Sequence, residues 1–319
     1  MKKTLLVLPV LAGLFVLFVA HAATITEDFS TNPLQDGWKI FGDTNLFQWF
    51  STNHDLDVTW DSSQNNSYFY HPLGTILTRD DDFSLAFNLQ LNSVETTGYG
   101  FEMALGFLNF GQATQTNFSR GTGADSPNLA EFDYFPAPDD GTISPTMISS
   151  NMEFASAFDY PLNLATGVLY HIEMTYTASN QTLSTTITYN NGQIFGPIDD
   201  VQLDTNFTDF RLDAVAINNY SGAGDAYGDS TLASGVVTYF VATVPPPPIQ
   251  NLTGDFTNGN WRAQFLSRSN WVYTLQRTED FQTWTNVSPA GSGSATNSFL
   301  QDTNPPTEQA FYRVQAERP

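Results

Sequence analysis

The hydrophobic residues of this chain recur at every second position over most of its length. Phe83, Leu85, Phe87, Leu89 and Leu91 alternate with Ser84, Ala86, Asn88 and Gln90. Phe101, Met103, Leu105 and Phe107 repeat the pattern. So do Val168, Tyr170, Ile172, Met174 and Tyr176, followed by Leu183, Thr185, Ile187 and Tyr189. A period of two places successive side chains on opposite faces of a strand. Thr97-Gly98, Ala178-Ser179-Asn180 and Asn190-Asn191-Gly192 fall between these runs as turn signals. No amphipathic helix longer than a turn or two can be drawn. Roughly ten to fourteen strands in about 220 residues require two stacked antiparallel sheets, because one sheet that wide curls or splits. The pattern therefore predicts an all-β chain whose main body is an antiparallel jelly-roll β-sandwich.

Val244-Pro-Pro-Pro-Pro-Ile249 breaks the alternation. Four consecutive prolines form a stiff polyproline spacer and cannot sit inside a sheet. Residues 23–243 are thus expected to form one domain, 244–249 a linker and 250–319 a small β module. Trp261, Trp271 and Trp284 lie in that module, where they would fill a core that has no disulfides. Residues 1–22 read as a secretory leader: Lys2 and Lys3, an apolar run from Leu5 to Ala20, and small residues in Ala20-His21-Ala22 for cleavage near Ala22. Pro9 and Gly13 interrupt that run, which argues against a membrane anchor, and no later stretch approaches the roughly 20 apolar residues of a spanning helix. The expectation is a secreted protein, whether extracellular, at the cell surface or periplasmic.

Cysteine is absent, so stability has to come from a core. Without Lys2 and Lys3 the chain has nine basic residues against 33 acidic ones, a net charge of −24, and Lys39 is its one lysine. A surface this negative repels nucleic acid and anionic membranes. It attracts divalent cations such as calcium, and it also keeps an exported protein soluble.

Three segments of the large domain resemble the concanavalin A-like superfamily of legume-type lectins and laminarinase-type glucanases. Glu131-Phe-Asp-Tyr-Phe-Pro136 is similar to the Glu-x-Asp strand of both groups. Leu169–Tyr176 with Asn180–Tyr189 resembles a lectin hairpin. Glu27-Asp-Phe29 with Gly37-Trp38 resembles the opening strand, which in this superfamily lies beside the closing one, here Gly235–Tyr239. The tail resembles short C-terminal modules of large secreted bacterial proteins. The resemblance implies a lectin-like protein whose partner is a polysaccharide or glycan.

Alternation puts Glu131, Asp133 and Phe135 on one face of their strand and Ala130, Phe132 and Tyr134 on the other. Two carboxylates so spaced suit a retaining glycosidase, which holds its nucleophile and acid about 5–5.5 Å apart. In the glucanases the acid follows two or three residues after the aspartate, and those positions here are Phe135 and Pro136, neither of which donates a proton. The chain therefore reads as non-catalytic, with an acid borrowed from Asp139 or Asp140 as the alternative. The lectin resemblance implies a second use. Glu131, Asp133, Asp139 and Asp140 would hold calcium, which takes six to eight oxygens. The lectin loop's asparagine falls on Ala137, and the next histidine is His171, so no transition-metal site is expected. The sugar-reading aspartate expected near Gly98–Phe101 is missing, with Tyr99 close to its place. The candidate ligand-binding residues are accordingly Tyr99, Glu131, Asp133 and Phe135. Against both uses stands a plainer one, in which the acids are solvated or paired with Arg120.

Weaker candidates are a calcium loop at Asp225 and Asp229, which equally makes an ordinary acidic turn, and Asp80-Asp81-Asp82, which reads as a solvated edge. Trp38, Trp49 and Trp60 read as core before they read as sugar platforms. Three functions remain open: a carbohydrate-binding protein, a glycoside hydrolase or lyase with a non-standard acid, and a structural or adhesive surface protein. Neither the glycan nor the oligomeric state can be chosen from the residues.

Overall fold

The structure is a computed structural model and describes residues 22–319 except 122–124, 224, 226 and 308. Apart from Ala22, the leader expected over residues 1–22 lies outside the described residues. The chain divides into two compact units, 22–247 and 248–319.

In the larger unit the alternating segments pair into two antiparallel sheets. The back sheet holds β1 (Ala23–Glu27), β3 (Phe47–Phe50), β4 (Asp55–Asp61), β6 (Phe83–Thr97), β11 (Leu169–Thr177), β12 (Thr182–Tyr189), β13 (Gln193–Phe195), β14 (Val201–Gln202) and β16 (Ser230–Val244). The front sheet holds β2 (Lys39–Phe41), β5 (Ser67–Leu77), β7 (Met103–Leu108), β8 (Leu129–Phe135), β9 (Thr142–Ile148), β10 (Phe154–Ser156) and β15 (Leu212–Asn219), in the order β10-β9-β8-β7-β15-β5-β2. The first and last strands lie together, with Ala23 opposite Val244 and Glu27 opposite Phe240.

One core fills the space between the sheets. Leu85, Phe87, Leu89 and Leu91 of β6 and Ile172 and Met174 of β11 join Met103, Leu105 and Phe107 of β7, Phe132 of β8 and Val215 and Ile217 of β15. Trp38 and Trp60 belong to it and are buried; Trp38 stacks on Phe69 with centroids 4.7 Å apart. Asp80-Asp81-Asp82 is solvated only in part, with Asp80 and Asp82 exposed. Asp81 is buried and accepts from the Thr78 amide, and Asp82 accepts from the Ala178 amide.

A second, smaller cluster covers the outer face of the front sheet. Tyr68, Ala104, Leu108, Leu129, Ile148, Ala214 and Ala216 point outward, and Phe101, Ala113, Phe118 and Tyr220 close over them. Ala113 and Phe118 of the cover come from the connection between β7 and β8, which begins with one helical turn, Phe110–Ala113, capped by the Asn109 side chain. Phe101 precedes β7 and Tyr220 follows β15.

The smaller unit has two sheets. β17 (Ile249–Thr257), β18 (Asn260–Ser267) and β22 (Asn297–Asp302) form one. β19 (Val272–Thr278), β20 (Thr285–Asn286), β21 (Gly291–Ser292) and β23 (Phe311–Glu317) form the other. Of the three tryptophans expected in its core, Trp271 is buried but Trp261 and Trp284 are half-exposed. Trp261 instead stacks flat on Tyr312 at 3.9 Å, and the Arg313 guanidinium lies 4.1 Å above Trp284. Sheets this narrow leave one face to solvent, and ring and cation stacking cover it.

Candidate functional site

Alternation along β8 sends Ala130, Phe132 and Tyr134 into the core, so Glu131 and Asp133 emerge on the covered outer face. Their cross-strand neighbours are small. Gly106 sits opposite Glu131 and Ala104 opposite Asp133, with Ala216 and Asn218 of β15 continuing those two rows. The rows make a floor with room for one large side chain, and Arg120 enters it from the cover.

The guanidinium meets four carboxylates. Nε donates to Glu131 Oε2 at 3.2 Å, Nη1 to Asp125 Oδ1 at 2.6 Å and Nη2 to Asp133 Oδ2 at 2.7 Å. Glu102 Oε2 lies 3.2 Å from Nη2. Asn218 Nδ2 donates to Glu131 Oε1 at 2.6 Å, the Tyr220 hydroxyl donates to the same oxygen, and the Tyr220 ring lies 5.7 Å from the guanidinium carbon. Glu131 is 0% exposed and Asp133 1%. One cation cannot balance the three carboxyls that are closed to water, so Glu102, Glu131 and Asp133 hold protons more tightly than in solution. Burial pushes Glu131 up to about 8 against the pull of Arg120, and it raises Glu102 and Asp133 as well.

This arrangement answers the sequence expectations one by one. Glu131 and Asp133 come together, but on Arg120 and shut away from any ligand. Asp139 and Asp140 do not join them; both are exposed in the turn between β8 and β9. Calcium needs oxygens converging at about 2.3–2.6 Å on one point, whereas here they ring a planar cation. The residues do not fit a divalent ion, and among the described residues no group of three or more His, Asp or Glu side chains is arranged to hold a metal. Asp225 caps its own turn, accepting from the amides of Tyr227 and Asp229 at 3.1 and 2.7 Å. Tyr99 is 74% exposed on the turn after β6, with its amide on Asp229 Oδ1. That turn reaches the end of β8, because Gly100 (φ +77°) packs so close to the Pro136 carbonyl that a Cβ would not fit. Phe135 is half-buried at that strand end. Glu102, Asp125, Asn218 and Tyr220 were not anticipated. They come from three separate segments, one before β7, one between β7 and β8 and one at the end of β15, and no spacing in the sequence links them to β8.

Beside the buried cluster, the cover forms a cleft of about 560 Å³. Asn65, Gln115, Thr116, Asn117, Ser119 and Ser221 supply amides and hydroxyls to its lining, and Phe41 supplies an aromatic ring. Asn66 ties two walls together, donating to the Phe118 carbonyl at 3.1 Å and accepting from the Ser221 amide at 2.8 Å. The Phe41 ring is fixed, stacked on Tyr68 at 5.8 Å and edge-on to Phe110 at 6.0 Å. Arg120, the one basic residue in the lining, is committed to its carboxylates with 2% of its side chain exposed. The cleft thus presents a fixed aromatic ring beside neutral hydrogen-bonding groups, with one acid, Asp225, in its lining.

No known protein family matches the sequence. No curated protein matches it either. Among solved structures the chain is similar to the seed lectin of Lotus tetragonolobus, with 13% identity over 70% of this chain and 100% of that one, at a TM-score of 0.45. Lectin II from Ulex europaeus is similar at 14% identity over 70% and 99%, with a TM-score of 0.48. The legume lectin-like domain from Entamoeba histolytica is similar at 10% identity over 68% and 95%, with a TM-score of 0.42.

Proposed function

We propose that this is an exported carbohydrate-binding protein, without catalytic activity of its own, that takes neutral glycans in the cleft beside Phe41. The lining of that cleft carries the reading. A sugar ring offers an apolar C–H face and a rim of hydroxyls, and the cleft offers a fixed aromatic ring and a set of amides and hydroxyls. Neutral glycans are favoured over uronates or sulfated chains on charge. Residues 22–249 contain 27 acidic and four basic residues, and the one arginine in the cleft is already neutralised. Export is supported by the lysine-led apolar run ending in Ala20-His21-Ala22. A non-catalytic role is supported by the burial of Glu131 and Asp133 and by Phe135 and Pro136 at the glucanase acid position.

The test is affinity gel electrophoresis of the full chain through a panel of neutral and acidic polysaccharides, followed by titration of the best ligand. Neutral chains should retard the protein and acidic ones should not. Phe41→Ala should weaken binding by up to about tenfold, the worth of one aromatic contact of about 0.5–1.5 kcal/mol. Tyr99→Ala asks whether the neighbouring turn extends the site. No retardation by any neutral polysaccharide, or unchanged affinity in Phe41→Ala, would sink the proposal.

A further inference from the structure

We infer that Arg120 is a built-in substitute for a metal ion: its guanidinium permanently fills the place among Glu102, Asp125, Glu131 and Asp133 where a divalent cation would otherwise be required. The fold is therefore complete without metal, and removing the guanidinium should turn the same oxygens into a calcium site.

Three observations carry this. The first is division of labour on the cation. Nε, Nη1 and Nη2 each serve a different carboxylate at 2.6–3.2 Å, and Glu102 shares Nη2, so one planar group satisfies four partners. A fork of fixed donors suits carboxylates spread around its edge, whereas a point charge needs them drawn inward. The second is the floor. Gly106 and Ala104 lie directly opposite Glu131 and Asp133, so no cross-strand side chain competes for the space that Arg120 occupies. The third is that the oxygens are not all used. Glu102 Oε1 and Asn218 Oδ1 are buried without a hydrogen-bond partner among the described residues. Without the guanidinium, these two and the freed carboxylate oxygens would form a hard, anionic set of the kind calcium takes.

The source of the cation also makes sense in this chain. A sheet face bearing two buried acids, within a unit of 27 acids and four bases, cannot be covered until a positive charge arrives. Arg120 brings it on the covering segment itself. Gly121 (φ +119°) turns that segment so tightly against the Phe101 ring that a Cβ would meet it at 2.8 Å. Covering the sheet and neutralising it are one event.

The experiment uses the full chain purified in EGTA, with thermal melts and calcium titration calorimetry. The wild type should show no calcium shift beyond that of sodium at matched ionic strength. Arg120→Gln should melt lower in EGTA and recover by about 5–10 °C at calcium 100-fold above its dissociation constant. Arg120→Lys, which keeps a cation, should melt between the two and ignore calcium. Should Arg120→Gln not fold in EGTA, refolding on calcium addition is the expected recovery. A saturable one-to-one calcium site in the wild type that Glu131→Gln abolishes overturns the inference, and so does an Arg120→Gln chain that calcium cannot restore. Neither outcome depends on glycan binding.

Discussion

At the scale of single residues, Glu131 decides how this protein should respond to pH. Its folded-state pKa of about 8 stands above the ordinary 4.5, so the folded chain holds that proton more tightly than the unfolded one. The stabilisation is therefore complete below about pH 4.5 and is lost as pH rises through about 8. Melting temperatures should fall across that window. Each proton released on folding-state titration changes stability by about 1.4 kcal/mol per pH unit, so Glu131→Gln should remove up to that much of the slope. It should also lower stability at acid pH by about 1–3 kcal/mol, because the amide nitrogen has to face either Arg120 or the donors Asn218 and Tyr220. An unchanged slope in Glu131→Gln would place the titration on Glu102 or Asp133. Part of this site was legible in the sequence. Alternation put Glu131 and Asp133 on one face of their strand, and Arg120 stood out as a partner because basic residues are so few. Alternation does not tell which face is covered, and that depends on a segment more than ten residues upstream. The burial of both acids therefore could not be read.

Among elements, the strands centred on Phe87, Ile172 and Ile187 follow the period-two runs closely, because each buries one face on a single core. The ends were harder. β6 continues to Thr97, beyond its apolar run, where Ser93–Thr97 pairs with β16 from Ser234 to Ser230. Such an extension has no hydrophobic signature. The β7–β8 pair is the element on which the site depends, and Gly106 is its tightest point. A Cβ there would lie 2.4 Å from the Ala130 carbonyl and 2.6 Å from the Glu131 Cα. Gly106→Ala should therefore push β8 outward and cost about 1–3 kcal/mol, the usual penalty for overpacking. Urea denaturation should show a lower midpoint with an unchanged slope. A midpoint equal to wild type would mean that the two strands can part without loss.

For the whole molecule, charge is distributed unevenly between the two units. Residues 22–247 carry 27 acids against four bases, and 248–319 carry six against five. Self-repulsion in the first weakens as salt shortens the screening length from about 30 Å at 0.01 M to about 10 Å at 0.1 M. Calorimetry from low to moderate sodium chloride should raise the transition of the large unit and leave that of the small unit almost still. Equal shifts in both would mean that net charge does not govern stability here. The prolines that mark the boundary were plain in the sequence, and β16 ends at Val244 just before them.

The way β16 meets the linker has a mechanical consequence. This strand is 15 residues long and is bonded along one edge to β6 and along the other to β4 and then β1. A tug on residue 245 or beyond is directed along its axis. To slide, β16 has to shear both rows of hydrogen bonds together, as a tongue is drawn from a groove. A tug on Ala23 meets less resistance, because β1 has one neighbour and loads a single row of hydrogen bonds. The same strand pair is therefore a stronger handle from the C-terminal side than from the other. Whatever hangs from the proline linker hangs from the firmest part of the sandwich.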